Sequence, residues 1–334
     1  MTACTNTPTD YPGPYGQGQP FAGQPVKILI DTDPGIDDAM AVLYAALAPE
    51  VDLIALTTVY GNVPVEIATR NALRLVELTG LDIPVAQGAA RPMVLALNSP
   101  PEFIHGAEGF GAVPAVVPTG QVVAETAAEL MCRLAREQPG ELVVCAIGPI
   151  TNVAEAVRLD ADFARNVRQI VFMGGAAFVP GNVTRFAEAN THNDPHALNV
   201  VIRSGARVVM VGLDVTMQAL CNRAFFARLA ESSPKLGGFL KAASDFYLDF
   251  YLARSGQDGC ALHDPTAVIA CTHPHLFRIQ SLPLTVTESG EEIGRTVAGL
   301  SPAGTDRLPL HVDICTDGDM EAVKELFAGA FGVC

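Results

Sequence analysis

The chain has 334 residues, of which 49% are hydrophobic and 17% are charged, and its formal net charge is −15. This globular composition can bury a core without disulfides or metals, and it excludes disorder over most of the chain. Nucleic acid is an unfavourable partner, because binding a polyanion needs clustered Lys and Arg, and here 36 acidic residues outnumber 21 basic ones. No segment reaches the ~20 apolar residues of a membrane helix, so we expect a soluble protein with no membrane partner.

The N-terminal segment and the cysteines bear on the location of the protein. Residues 1–24 lack the basic start and apolar core of a signal peptide, and we expect them to form a flexible tail. None of the eight cysteines forms a C-x-x-C pair, and several, such as Cys145, lie in apolar runs typical of buried side chains. We therefore expect reduced thiols and a cytoplasmic location.

From residue 25 to residue 334 the chain alternates short apolar runs with longer helical patterns. The runs that predict strands are 26–30, 51–59, 141–147, 167–173 and 206–213. Apolar residues at three- and four-residue spacing predict helices over 37–47, 65–78, 123–136, 152–159, 195–204 and 224–254, and 279–300 predicts a strand pair. Strands that are apolar throughout are typical of a parallel sheet covered on both faces. The pattern predicts a single doubly wound α/β domain over 25–334, with a mostly parallel sheet.

Polar and glycine-rich segments follow the first four predicted strands. They are DTDPGIDD at 31–38, YGN at 60–62, GPITN at 148–152 and GG at 174–175. In a doubly wound sheet, ligands bind beyond the carboxyl ends of the strands. The sequence therefore predicts a binding site at this edge of the sheet.

Segment 31–38 contains four aspartates: Asp31, Asp33, Asp37 and Asp38. Helix capping and the helix dipole explain one or two of these carboxylates, but not all of them. Like charges this close raise one another's pKa unless a cation offsets them, so the cluster indicates a divalent metal. Oxygen ligands without Cys or His favour calcium or magnesium over zinc.

Two other patterns begin in a similar way. An EF-hand calcium loop does not fit, because Pro34 occupies its fourth position and its glycine comes at the fifth. The D-x-D of Asp31 and Asp33 also begins haloacid-dehalogenase-like phosphatases, although the residues that follow depart from that pattern. A magnesium-dependent phosphohydrolase with an Asp nucleophile is therefore the alternative enzyme.

Four motifs occur along the chain in a recognisable order. They are DTDPGIDD at 31–38, TTVYGN at 57–62, Gly181-Asn182 with FAEAN at 186–190, and HDP at 263–265. Together they resemble the nucleoside hydrolase family, which includes inosine-uridine-preferring and pyrimidine-specific ribonucleoside hydrolases. The resemblance spans about Val26 to the C-terminus. It implies a calcium-dependent N-glycosidase that splits a ribonucleoside into ribose and a free base, and a homodimer or homotetramer.

The resemblance also implies a role for each matching position. Asp33 would be both metal ligand and general base. The other calcium ligands would be Asp38, Asp264 and the backbone carbonyl of Ile147, with Asp264 also close to the substrate. The ribose 2′- and 3′-hydroxyls would be held by Asp37 and Asn190, with Asn62 beside them, and the 5′-hydroxyl by Asn182 and Glu188. His263 lies where many members have a histidine near the leaving base. Met173 follows a strand and either lines the sugar pocket or belongs to the core.

The expected chemistry explains why these residue types are needed. Breaking a ribosyl C–N bond passes through an oxocarbenium-like transition state, which requires an attacking water and stabilisation of positive charge. Calcium lowers the pKa of a bound water less than zinc does, so a carboxylate base such as Asp33 is required beside it. The leaving base must be protonated or stabilised as an anion, for which His263 is the candidate.

Several alternatives remain open at this point. His263 is either catalytic or a structural histidine, and Tyr247 and Tyr251 either face the base or belong to the core. The loop at 105–109 either lies near the site or is structural. The non-enzyme alternative is an inactive, calcium-stabilised nucleoside-binding protein. The sequence does not indicate a preference for purine or pyrimidine nucleosides.

Overall fold

The computed structural model describes residues 23–299 and 310–333. The strands within these ranges are β1 (Val26–Thr32), β2 (Val51–Thr58), β3 (Val85–Gln87), β4 (Val143–Ala146), β5 (Gln169–Met173), β6 (Val208–Val211), β7 (Leu220–Cys221), β8 (Cys260–Ala261), β9 (Phe277–Val286), β10 (Thr296–Ala298) and β11 (His311–Gly318). The α-helices are α1 (Ile36–Leu47), α2 (Val65–Thr79), α3 (Glu102–His105), α4 (Ala127–Glu137), α5 (Thr151–Leu159), α6 (Phe163–Asn166), α7 (Ala189–Asn193), α8 (Pro195–Ile202), α9 (Leu213–Thr216), α10 (Arg223–Ser232), α11 (Leu236–Ser255), α12 (His263–Thr272) and α13 (Met320–Ala330).

The central sheet has the strand order β10-β9-β11-β6-β5-β4-β1-β2-β3. The pairs from β3 across to β11 are parallel, whereas β9 runs antiparallel to both β11 and β10. The strand order reverses between β1 and β4. The crevice at such a switch point is where doubly wound sheets bind their ligands.

Successive residues of β1 point to opposite faces of the sheet. Ile28 and Ile30 pack in an apolar cluster with α1, α11 and α12, whereas Leu29 packs in a second cluster with α4, α5 and α8. Because both faces are covered by helices, the strand is apolar at three successive positions, Ile28, Leu29 and Ile30. The predicted α/β domain with a mostly parallel, doubly covered sheet is confirmed.

The predicted helix over 224–254 is wrong as a single element. Pro234 lacks a backbone N–H and its ring obstructs the preceding turn, so α10 ends at Ser232 and α11 begins at Leu236.

The search for apolar runs does not predict strands β3 and β11. β3 has only three residues, and β11 interrupts its apolar residues with Asp313 and Asp317. The strand pair expected over 279–300 corresponds to β9 and β10, and Leu300 lies outside the described residues.

Other expectations concern the ends of the chain and the thiols. Residues 1–22 of the expected tail lie outside the part of the chain that the structure describes. Within that part, no helix combines the length and apolar character that a membrane crossing requires. The cysteines found there are free and buried: Cys132, Cys145, Cys221, Cys260, Cys271 and Cys315.

Candidate active site

A cavity of about 570 Å³ opens beyond the carboxyl ends of the central strands. Its lining includes nine of the residues singled out in the sequence: Asp37, Asn62, Ile147, Met173, Asn182, Glu188, Asn190, His263 and Asp264. Asp33 and Asp38 are fully buried behind this lining and hydrogen-bond to Asn62. The fold therefore brings every candidate residue to one place.

Asp38 is fixed by four hydrogen bonds at the start of α1. Its Oδ1 accepts from the Thr32 hydroxyl (2.6 Å) and the Asp33 N–H (3.1 Å). Its Oδ2 accepts from the Gly35 N–H and from Asn62 Nδ2, both at 2.9 Å. Asp38 also lies in the first helical turn, where the helix dipole favours negative charge. These donors hold the carboxylate in one orientation.

Asp33 has one satisfied and one unsatisfied carboxylate oxygen. Oδ2 accepts from the Asn62 N–H at 2.6 Å, whereas Oδ1 is buried without a hydrogen-bond partner. A Cβ at Gly148 would lie 2.5 Å from Oδ1, so only glycine leaves room for this carboxylate. A buried, unpartnered carboxylate oxygen is costly unless a ligand completes its environment.

Asp37, Asp38 and Asp264 converge from two distant parts of the chain. Each offers a carboxylate oxygen, and these atoms lie within 4.8 Å of one another. Asp33 lies outside this group of three but neighbours it, because its backbone N–H donates to Asp38 Oδ1. Asp264 lies in the first turn of α12, so α1 and α12 both direct the positive ends of their dipoles at the cluster.

Burial and mutual repulsion raise the pKa of these carboxyls. Burial is the largest cause for Asp33, and the neighbouring charge of Asp38 adds to it. The same two causes raise the pKa of Asp37 to about 8. Burial raises the pKa of Asp264, and the charges of the other three aspartates raise it further. A cation would stabilise the ionised form of this cluster.

His263 is buried between two hydroxyl groups. Its Nδ1 lies 2.8 Å from Thr216 Oγ1, and its Nε2 lies 2.9 Å from the Tyr251 hydroxyl. Burial lowers the pKa of His263 to about 4, so the ring is neutral near pH 7. Tyr251 makes an edge-to-face contact with Tyr247, whose hydroxyl is 3.5 Å from Asp37 Oδ2. Both tyrosines pack in the core, as one of the two interpretations expects, and both also line the cavity, while a contact with the base stays a prediction.

His105 is a site residue that the sequence left undecided. Its Nδ1 accepts from the Ile36 N–H at 3.2 Å and lies 3.8 Å from Asp37 Oδ1. Burial lowers the pKa of His105 to about 3, and its ring packs against Tyr247 with centroids 5.6 Å apart. Glu108 in the same loop pairs with Arg70 at 2.7 Å and is structural. The signal in the sequence was the glycine-rich loop, but only the tertiary fold shows which of its side chains enters the site.

Glu188 is the N-cap of α7. Its Oε1 accepts from the Asn190 N–H at 2.8 Å, and its Oε2 accepts from the Thr191 N–H at 3.0 Å and the Gly175 N–H at 2.9 Å. Burial raises the pKa of Glu188 despite these donors. The carboxylate is thus held rigidly at the wall of the cavity.

Asn190 and Asn182 face the same part of the cavity. Asn190 Nδ2 donates to the carbonyl oxygens of Ile147 at 2.8 Å and Met173 at 3.2 Å. Asn182 is exposed at the rim, where its Oδ1 accepts from the Ala189 N–H at 3.0 Å. The cavity lining therefore combines carboxylates, amides and carbonyls with aromatic rings.

Comparison with known proteins decides the family. The model described as "Inosine-uridine preferring nucleoside hydrolase" matches residues 28–325. The chain belongs to this nucleoside hydrolase family. "Uridine nucleosidase 1" of Arabidopsis thaliana is 39% identical to it over 276 residues, which is 82% of each chain. "Non-specific ribonucleoside hydrolase RihC" of Salmonella paratyphi C is 38% identical over 311 residues, 91% of this chain and 98% of the relative.

Solved structures agree with this nucleoside hydrolase assignment. The purine-preferring ribonucleoside hydrolase from Gardnerella vaginalis superposes with a TM-score of 0.86 at 32% identity, covering 91% of this chain and 98% of the other. The resemblance drawn from the four motifs is confirmed, and so is the prediction of an enzyme, a ribonucleoside hydrolase.

Proposed function

We propose that this nucleoside hydrolase uses calcium to hydrolyse the N-glycosidic bond of ribonucleosides, releasing ribose and the free base. The observation that carries the proposal is the convergence of buried aspartates at a cavity that aromatic rings also line. A nucleoside has the matching polarity, with a hydroxyl-rich sugar and a flat base. The cavity volume of about 570 Å³ is within the range of small-molecule sites.

The residues present fit a calcium ion. The donor set consists of oxygen atoms, and Asp33 Oδ1 and Asp37 Oδ1 are buried without hydrogen-bond partners. Asp33, Asp38, Asp264 and the carbonyl of Ile147 are the proposed ligands. When bound, calcium supplies positive charge that holds an attacking water and the ribose diol in place.

Asp33 is the proposed general base. Its environment favours that role, because burial and neighbouring carboxylates raise its pKa and so increase its affinity for a proton. Asp37 and Asn190 orient the ribose 2′- and 3′-hydroxyls, with Asn62 beside them, while Asn182 and Glu188 bind the 5′-hydroxyl. The negative charge of the cluster also favours the positive charge that develops on the sugar.

We expect His263 and Tyr251 to assist the leaving base. His263 and its partner Tyr251 both line the cavity, and the Tyr251 hydroxyl offers a hydrogen-bond donor there. Donation to the base as negative charge develops on it lowers the barrier to C–N cleavage.

The phosphohydrolase alternative is less well supported. Asp31 is fully buried, accepts hydrogen bonds from Thr57 (2.6 Å) and Asn152 (2.8 Å), and is not part of the cavity lining. Apart from histidines, Arg254 is the only basic residue among those lining the cavity in the described part of the chain. A phosphoryl site needs more positive charge than this.

We also infer a cytoplasmic location and a homodimer or homotetramer. Free, buried cysteines support a reducing compartment.

Three apolar side chains support the assembly. Phe178, Val179 and Val183 are exposed on one loop, as expected for a surface that another subunit covers. Light scattering coupled to gel filtration measures the assembly, and a monomer contradicts this inference.

A substrate panel tests the proposed function. Uridine, cytidine and inosine are incubated with the enzyme beside their 2′-deoxy forms, and free base and sugar are measured. We expect equimolar ribose and base, with uridine cleaved as the names of the relatives suggest, and rates at least about 100-fold lower for the deoxy forms, since a missing hydroxyl leaves its partners unpaired. Tight binding without cleavage supports the inactive binding protein, and phosphate release from phosphomonoesters supports the phosphohydrolase.

A further inference from the structure

Thr216 is a buried residue at the end of α9 that contacts the site indirectly. It is not among the residues that line the cavity, and its side chain is fully buried. Its hydroxyl lies 2.8 Å from Nδ1 of His263, which does line the cavity. The imidazole of His263 therefore links the Thr216 hydroxyl to the cavity.

The local hydrogen bonds indicate which of the two atoms donates. Within residues 23–299 and 310–333, His263 Nδ1 is the partner that the structure gives for the Thr216 hydroxyl. The nearby carbonyl of Gly212 already accepts from the backbone N–H groups of Val215 and Thr216. The hydroxyl proton is therefore donated to Nδ1. A neutral imidazole has one N–H, so its proton is then on Nε2.

This direction extends to Tyr251. The Nε2–H donates to the Tyr251 oxygen at 2.9 Å. Since the Tyr251 oxygen accepts this hydrogen bond, the Tyr251 proton is not used in it. Tyr251 lines the cavity, where its O–H is available to a bound molecule.

We propose that Thr216 is a positioning residue that holds His263 as the Nε2–H tautomer and thereby directs the Tyr251 O–H at the departing base. This rests on the proposed function. When the C–N bond breaks, its electron pair leaves with the base, and Tyr251 donates a hydrogen bond to the resulting negative charge. Loss of the Thr216 hydroxyl frees His263 to take the Nδ1–H tautomer. Its Nε2 then accepts a hydrogen bond from the Tyr251 O–H, so this O–H no longer points at the base.

The test separates leaving-group assistance from general damage. Uracil is a poor leaving group, whereas the nitrophenolate of p-nitrophenyl β-D-ribofuranoside leaves without assistance. Thr216→Val is isosteric and lacks the hydroxyl. We expect it to lower kcat for uridine by about 10–100-fold with KM nearly unchanged, and to leave kcat for the nitrophenyl riboside unchanged. Thr216→Ser retains the hydroxyl and should restore most of the uridine rate.

Thr272→Val is the matched control. The Thr272 hydroxyl also lies 2.9 Å from a histidine Nδ1, that of His273, but neither residue lines the cavity. We expect it to change neither rate. Equal losses on both substrates for Thr216→Val indicate structural damage and overturn the proposal, as does an unchanged uridine rate.

Nitrogen-15 NMR of labelled histidines provides a second readout that needs no turnover. The His263 signal, identified by its loss in His263→Gln, should report the Nε2–H tautomer in the wild type and a shift towards Nδ1–H in Thr216→Val. A wild-type Nδ1–H tautomer overturns the proposal. If the wild type cleaves neither substrate, the proposed function fails, and the NMR result then decides the Thr216–His263 relationship by itself.

Discussion

The side-chain amide of Asn190 donates a hydrogen bond to the main-chain carbonyl of Ile147 at 2.8 Å. This contact joins the start of α7 to the residue that follows β4. It couples the proposed diol-binding side chain to the proposed carbonyl ligand of calcium. The sugar site and the metal site are therefore built as one unit.

Asn190→Ala should weaken recognition of the ribose diol. The loss of one hydrogen bond to a buried polar group costs about 1–3 kcal/mol, so we expect kcat/KM for uridine to fall on the order of 10–100-fold. The penalty should shrink for 3′-deoxyuridine, which lacks one proposed partner. Asn222→Ala, which removes the N-cap of α10 outside the cavity, is the control and should lower only stability. An equal penalty on both nucleosides contradicts the proposed role of Asn190.

Asp33→Asn should abolish general-base catalysis while preserving shape. We expect kcat for uridine to fall by about 10²–10⁴-fold with an unchanged circular dichroism spectrum. Asp52→Asn, at an exposed position on β2, is the matched control and should retain the wild-type rate. A near-normal kcat for Asp33→Asn shows that the base is another group.

Gly148→Ala should disturb the site by steric overlap alone. The added Cβ would lie 2.5 Å from Asp33 Oδ1, which forces the carboxylate to move. We expect at least about a tenfold loss of kcat, because small misplacements of a catalytic group are costly. Gly238→Ala is the control, because it lies within α11 with no atom within 4 Å of the added Cβ. This change should leave activity intact and raise stability by about 0.5–1 kcal/mol. A normal rate for Gly148→Ala argues against Asp33 as the general base.

Metal affinity and thermal stability should both depend on pH. Burial raises the pKa of Asp31 to about 7 and that of Asp37 to about 8, well above about 3.9 for an unfolded aspartate. A carboxyl whose pKa is raised by folding stabilises the folded state below its unfolded pKa and loses that contribution as the pH rises through the folded pKa. The Tm of the chelated protein should therefore fall between about pH 5 and pH 8.

Calcium should offset that loss, because burial also raises the pKa of its proposed ligands Asp33, Asp38 and Asp264, and calcium binds these carboxylates when they are deprotonated. Thermal unfolding with and without calcium at each pH checks this, with sodium chloride at equal ionic strength as the control. We expect the calcium-dependent rise in Tm to be larger at the higher pH. A calcium effect that does not depend on pH contradicts the proposed ligands.

The sequence predicts those parts of the molecule that depend on local patterns. Strand β1, helix α1 and the four aspartates lie within 22 consecutive residues, from Val26 to Leu47, so their placement follows from the chain itself. The sequence also contains Pro234, but the helical spacing of apolar residues continues on both sides of it. The pattern therefore predicts one helix where the structure has two.

Other parts of the site depend on contacts between distant segments. Asp264 is far from Asp38 in the chain, and only the packing of α12 against α1 brings their carboxylates together. The partner of His263 Nδ1 is Thr216, on a four-residue helix without a distinctive pattern. His105 enters the site because Gly35 lets it approach, since a Cβ there would lie 2.6 Å from its Nδ1. Such contacts have no signature in one sequence.

The most direct test of the central claim is the release of uracil and hypoxanthine from uridine and inosine, measured before chelation, after chelation and after calcium is restored. We expect equimolar base and ribose, loss of release when calcium is removed, and recovery when it is returned. No release from either nucleoside, or undiminished release from the chelated enzyme, contradicts a calcium-dependent ribonucleoside hydrolase.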